Sequence, residues 1–169
     1  MKRALMAFLL VLQAGFGVAA SLDAEAFFDQ KMGDLKAELA NARKDGKQGI
    51  LLMYEKEDCP FCHRMKTTVL NRADVQSYYH QHFLVFTIDV DGNVPLVDFK
   101  GKTTTEKAFS LANRARATPT FVFYGLDGSE MTRLTGATKD AAEFMALGRY
   151  VAEGAYKTVS FTQYKQSAH

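Results

Sequence analysis

Residues 58–63 read Asp58-Cys59-Pro60-Phe61-Cys62-His63, "DCPFCH", and hold both cysteines of the 169-residue chain. Two chemistries fit this spacing. Cys-x-x-Cys followed by His is the attachment pattern of a c-type haem, with His63 as an axial ligand to the iron. Cys-x-x-Cys at the start of a helix is a dithiol redox centre, whose sulfurs exchange bonds with a client disulfide. The two readings require different folds, so the flanking sequence decides between them.

Residues 49–54, "GILLMY", form a short apolar run of the kind a buried parallel strand shows. A charged link, Glu55 to Asp58, leads from it into the motif. Residues 60–70 read as a helix, and Pro60 suits its first turn, where a missing N–H goes unnoticed. A second helical piece is expected over 73–82. Residues 83–90, "FLVFTIDV", are a strand rich in branched and aromatic side chains. Asp91-Gly92-Asn93 turns the chain, and residues 94–101 form a small hairpin or a loop.

Thr103-x-x-Glu106 has the form of a capping box, with a helix running to about Arg114. Thr118-Pro119-Thr120 precedes a strand over 121–124. Residues 126–129 are a hairpin turn and 130–134 the return strand. A last helix covers 139–153, after Gly136. The tail from Gly154 carries Tyr156, Phe161 and Tyr164 and is expected to pack against the body. Near the other end, residues 21–45 read as one long helix with Phe28, Met32, Leu35, Leu39 and Ala42 in a single stripe, stopped by Asp45-Gly46. Phe27, Phe28, Tyr78 and Tyr79 are expected in the core or half-buried. The pattern implies an α/β fold with a central mixed β-sheet flanked by helices and an extra N-terminal helix, as one domain over residues 21–169.

The first twenty residues, "MKRALMAFLLVLQAGFGVAA", have a positive start, an apolar run and small residues at Val18-Ala19-Ala20. They read as a secretory signal cut after Ala20; the alternative is a retained membrane anchor. Removing Lys2 and Arg3 lowers the basic count from 21 to 19, against 19 acids. The mature chain is then nearly neutral, with no basic surplus for nucleic acid or a membrane surface. It is long enough to bury an ordinary core, and a monomer is expected.

Exported proteins usually use cysteine pairs as structural staples. A bridge between residues this close constrains little of the unfolded chain, so chemistry explains the pair better than stability. For the haem reading, small c-type cytochromes are mostly helical, whereas here a buried strand leads into the motif. A distal ligand would have to be chosen arbitrarily from Met131, Met145 or His80. For zinc, two thiolates and two imidazoles would suffice, yet His80, His82 and His169 show no paired spacing with the motif. No metal is expected.

The dithiol reading gains from each neighbour. The strand over 49–54 delivers Cys59 to a helix start, where unpaired N–H groups favour a thiolate. Cys62, one turn in, can attack the mixed disulfide and release the reduced client. No cofactor is needed, because the pair itself carries two electrons. A proline opening a strand is unremarkable alone. After a Cys-x-x-Cys unit, however, Thr118-Pro119-Thr120 resembles the cis-proline loop of the thioredoxin fold, which docks an extended client segment beside the first cysteine. An ordinary trans proline at a strand edge is the alternative.

Residues 49–164 resemble a periplasmic thioredoxin-like protein of the SoxW type. The resemblance rests on "CPFC", "FTIDVDG", "RARATPTFVFYGLDGSEMTRLTGAT" and the closing "RYVAEGAYKTVSFTQY"; the last of these points to SoxW. It implies a periplasmic thiol–disulfide oxidoreductase supplied with electrons by an inner-membrane thiol reductase. Its clients would be periplasmic protein disulfides, including a sulfur-carrier protein of sulfur oxidation.

There are departures. Met53 stands where thioredoxins carry a buried acid, leaving Glu55 or Glu57 as substitutes. Pro60-Phe61 replaces Gly-Pro and is nearer the Pro-Tyr of glutaredoxins. His63 follows the second cysteine and can tune the pair through its charge.

Glu55, Glu57 and Asp58 should disfavour a Cys59 thiolate and make the couple reducing. His63, Arg64 and Lys66 push the other way, screened where they face solvent. The expectation is a reductant rather than a strong oxidant of the DsbA kind. No second module for isomerase action is evident. A non-catalytic docking protein on the same fold is the remaining alternative.

Overall fold

The computed structural model describes residues 21–30 and 33–167. The expected signal, residues 1–20, together with Met32 of the N-terminal stripe and His169, lies outside the described residues.

Strand β1 (Gly49–Glu55) is buried along almost its whole length, as its apolar run demands. It runs parallel to β2 (Phe83–Asp89) on one side and antiparallel to β5 (Thr120–Gly125) on the other. Strand β6 (Glu130–Thr135) returns beside β5, so the four-stranded mixed sheet has the order β2-β1-β5-β6. Gly49 lets β5 lie close against β1: a Cβ there would sit 2.1 Å from the Tyr124 carbonyl oxygen.

Strand alternation divides the core in two. Leu51, Met53, Phe83, Val85, Phe121 and Phe123 face one way. They pack against α2 (Pro60–Met65), α3 (Ala73–His82) and α5 (Ala141–Ala152). Ile50, Leu52, Tyr54, Phe86, Ile88 and Val122 face the other way, against α1 (Leu35–Lys44) and α4 (Glu106–Ala112). Tyr79 is central to the first core. It stacks on Phe144 at 4.5 Å between ring centroids, and its hydroxyl donates to the Phe144 carbonyl at 2.7 Å.

The long helix expected over 21–45 is replaced by a 3₁₀ turn (Ala24–Phe27), an extended piece and the shorter α1. Asp29 explains the extended piece. Its N–H donates to the Val85 carbonyl and its carboxylate accepts from the Val85 N–H, both at 2.7 Å, so it occupies the open edge of β2. Gly33 then takes φ +77°, and Asp34 caps α1 by accepting from the Ala37 N–H at 2.9 Å. Asp29, bonded to the distant Val85, and Asp34, which caps locally, together outcompete a continuous helix. As a result Phe27 is fully buried and Phe28 only partly.

Residues 94–101 resolve into a hairpin arm: β3 (Pro95–Val97) pairs with β4 (Thr103–Thr105). Thr103 is therefore in a strand, and the cap of α4 falls to Thr105, whose Oγ1 accepts from the Ala108 N–H at 3.2 Å. Helix α4 stops at Ala112, and Arg114 takes φ +55°. The helix expected over 60–70 is α2 followed by a π turn, Lys66–Leu70. The tail does pack on the body, but as a helix, α6 (Phe161–Ser167), with Phe161 and Tyr164 against Tyr150. Among the described residues no helix is long and apolar enough to cross a membrane.

Candidate active site

Cys59 is the N-cap residue of α2, with Pro60 in the first helical position. Its Sγ is bonded to Sγ of Cys62 and accepts the Cys62 main-chain N–H at 3.1 Å. Both cysteines are nearly buried, 4% and 3% exposed. Phe61 projects from the same turn at 61% exposure, and His63 is exposed. Arg64 ties the helix to the loop before α5, donating to the Thr138 carbonyl at 2.9 Å and the Lys139 carbonyl at 3.3 Å.

Thr118-Pro119 is a cis peptide. The register pairs Tyr54 with Thr120, so the proline loop and the link into Cys59 leave the same end of the sheet. Pro119 is buried and Thr118 half-buried. The Pro119 carbonyl accepts from the Gly136 N–H at 2.8 Å.

Beside the disulfide lies a cleft of about 360 Å³, bounded by Cys59, Cys62, His63, Glu55, Lys66 and Asp89 among others. Pro60, Phe61, Thr118 and Pro119 do not line it. Met53 is fully buried beneath this region, and alternation points Glu55 to the same face of β1. There the Glu55 carboxylate meets the Lys66 ammonium at 3.0 Å. Lys66 also reaches Glu25 at 3.1 Å and lies over the Phe28 ring, 5.3 Å from its centroid. Asp89 is the register partner of Glu55 at the end of β2. Burial pushes the Glu55 carboxyl above its ordinary value. The bond and charge of Lys66 pull it down, and Glu25 and Asp89 add to the rise. Burial pulls Lys66 down, but its bonds to Glu55 and Glu25 outweigh this and hold it above its ordinary value.

These pairings alter the expected charge balance at Cys59. Glu55 is bonded to Lys66, and Asp58 to Lys56 at 3.1 Å. Arg64 and Lys66 do not simply face solvent, because carbonyls engage one and carboxylates the other. The acidic bias before Cys59 is therefore weaker than the run Glu55, Glu57, Asp58 suggests. Lys66 and Asp89 were missed as cleft residues. Their signals were present: Lys66 follows Cys62 by one helical turn, and Asp89 ends a strand parallel to β1.

Two of the other proposed ligands have partners of their own. His80 bonds the Phe27 carbonyl at 3.0 Å, and His82 sits 3.5 Å from the Gln48 amide and against the Tyr78 ring. The two motif sulfurs are buried and joined to each other, the oxidised form of a dithiol couple.

A mixed sheet with helices on both faces, a Cys-x-x-Cys disulfide opening a helix and a cis-proline at the same end of the sheet define a thioredoxin-like protein. Residues 35–152 match the family model described as a thioredoxin-like domain, and the chain belongs to that family. The chain is similar to a thioredoxin from Thermus thermophilus, with 31% identity over 67% of this chain and 79% of that one and a TM-score of 0.52. It is also similar in fold to a thioredoxin-fold protein from Helicobacter pylori, with 16% identity, coverage of 85% and 92%, and a TM-score of 0.69. A third fold neighbour is described as DsbH oxidoreductase, with 15% identity, coverage of 87% and 95%, and a TM-score of 0.57. No curated protein matches the chain.

Proposed function

We propose that the protein is a thiol–disulfide oxidoreductase that reduces protein disulfides outside the cytoplasm. The observation that carries the thiol–disulfide chemistry is the bonded Cys59–Cys62 pair at the start of α2, with the Cys62 N–H on Cys59 Sγ; the reducing direction rests on the resemblance to the SoxW type. In the reduced state Cys59 attacks a client sulfur and Cys62 resolves the mixed disulfide, passing two electrons to the client. Thr118 offers main chain to an extended client segment, and the cis Pro119, anchored to Gly136, holds that loop in place. Pro60, Phe61 and His63 shape and tune the pair. No metal or soluble cofactor takes part.

The finer assignment to the SoxW type rests on residues 149–164, which run past the end of the family match at residue 152. On that reading the protein works in the periplasm as a monomer after loss of residues 1–20. An inner-membrane thiol reductase recharges it, and a sulfur-carrier protein of thiosulfate or sulfur oxidation is among its clients. The near-balanced charge after removal of Lys2 and Arg3 fits protein rather than nucleic-acid clients.

The test is Cys62→Ser in the exported protein. An oxidoreductase so changed accumulates disulfide-linked clients through Cys59, and these vanish when Cys59 is also replaced. A docking protein would bind its partner unchanged and without a covalent bond.

A further inference from the structure

We propose that a basic crevice beside the loop into Thr118 selects clients whose disulfide is flanked by Asp or Glu, with Lys107 and Arg116 reading that charge. This rests on the oxidoreductase reading above. The crevice has a volume of about 250 Å³ and lies between the link after β1, the end of β2, α4 and the loop that leads to Thr118. Lys56, Val90, Asp91, Lys107, Leu111 and Arg116 are among the residues that line it. Lys56 also lines the cleft beside the disulfide, so the two hollows meet at one side chain.

Local structure fixes where the cations stand. Lys107 and Leu111 lie one helical turn apart on one face of α4, while Phe109 and Ser110 are buried. Leu111 is 48% exposed, an apolar side chain held out beside a charge. The chain turns back after α4 at Arg114, and the buried Ala115 donates its N–H to the Ser110 carbonyl at 2.9 Å. Arg116 follows directly and stands just ahead of Thr118 in the same loop. An extended client advances about 3.3 Å per residue. Client residues about two positions from the one at Thr118 therefore come within reach of the Arg116 side chain.

The charges fit an acidic segment. Among the described residues, neither the Lys107 ammonium nor the Arg116 guanidinium has an ion-pair or hydrogen-bond partner. Lys56, by contrast, is joined to Asp58 at 3.1 Å. Asp91 is the carboxylate in the lining, and it faces both free cations; Glu106, next to Lys107 in sequence, is buried and does not line the crevice. The cleft on the other side of Lys56 carries Glu55, Glu57 and Asp89 instead. A client with acids on one flank is drawn to the crevice and disfavoured in the cleft, which orients it across Cys59. Complementary charge of this kind speeds encounter and rejects like charge more than it adds affinity. Leu111 and Val90 give the stems of the client's side chains apolar contact.

Two disulfide-closed peptides test this, identical except that the residues beside one cysteine are Asp and Glu in the first and Lys in the second. Their rates of reduction by the dithiol form of the exported protein are compared, with uncharged bis(2-hydroxyethyl) disulfide as a probe of the chemistry apart from charge. At low salt wild type is expected to favour the acidic peptide about tenfold. The preference should fade at about 1 M salt, where the screening length falls to about 3 Å. In the double variant Lys107→Glu, Arg116→Glu the preference should invert. Lys107→Glu alone, on an exposed helix face, should reduce it severalfold and decides the matter if the double variant does not fold. A wild type that reduces the uncharged disulfide but shows no preference between the peptides, or a preference that the variants retain, would overturn the assignment of the crevice. A wild type inert towards both peptides and the uncharged disulfide would instead overturn the oxidoreductase reading itself.

Discussion

The main-chain N–H of Cys62 points at Sγ of Cys59 across 3.1 Å. When the disulfide is reduced, this donor favours negative charge on Cys59. Cys59 should therefore ionise before Cys62. Iodoacetamide rates of the single-thiol variants Cys62→Ser and Cys59→Ser, followed against pH, are expected to rise at lower pH for Cys59. Superimposable profiles would remove the basis for calling Cys59 the attacking thiol.

Phe61 stands 61% exposed between two buried sulfurs. An aromatic ring held there serves contact with a client rather than the core. Phe61→Ala should leave the urea midpoint nearly unchanged, within about 0.5 kcal/mol, and leave the reaction with a small disulfide probe intact. Reduction of a protein disulfide should weaken severalfold, mainly through KM. Equal losses for probe and protein would place Phe61 in the chemistry instead.

Gly49 admits β5 against β1 because nothing projects towards the Tyr124 carbonyl, 2.1 Å from where a Cβ would stand. That neighbour is main chain and cannot swing aside. Gly49→Ala should cost at least about 2 kcal/mol by urea unfolding. A loss below about 0.5 kcal/mol would show that the central pair tolerates separation.

Glu143 fastens the tail. Its carboxylate accepts from the Lys139 N–H at 2.6 Å and pairs with Lys165 of α6. The Lys139 N–H and then Lys165 hold the carboxyl below its ordinary value of 4.5, against opposing burial. A depressed carboxyl stabilises the fold above its unfolded pKa and loses that contribution as pH falls through the folded value. Protection of the amides within residues 161–167, taken relative to the intrinsic exchange rate, should fall as the pH drops below about 4.5, and this pH dependence should shrink in Glu143→Gln. Protection of α6 that is indifferent to pH in both proteins would contradict the clamp.

The sheet and the redox motif were legible because their signals are local. The apolar run of β1, the branched run of β2 and the turn at Asp127-Gly128 each mark their own element, and Pro60 marks the start of α2. The N-terminal region misled because Asp29 answers to Val85, fifty-six positions away, and such a bond leaves no periodic trace. Thr103 has the form of a cap, but its pairing with Val97 holds it in β4 and leaves the cap to Thr105. The site divided in the same way. Cys59 and Cys62 were plain from spacing. The ion pair of Glu55 and Lys66 depends on how a strand end meets a helix, which charge counting along the chain could not weigh.

The central claim is that Cys59 and Cys62 form a two-electron dithiol couple with reducing character. The direct test is a redox titration of the mature protein, purified after export from a host able to attach c-type haem, with free thiols alkylated at each poise and the intact chain weighed. The account predicts that two alkylations appear together, with a midpoint nearer the approximately −270 mV of thioredoxin than the approximately −120 mV of DsbA. A midpoint near DsbA would contradict the reducing assignment. No alkylation at any poise, with added mass matching haem, would contradict the couple itself.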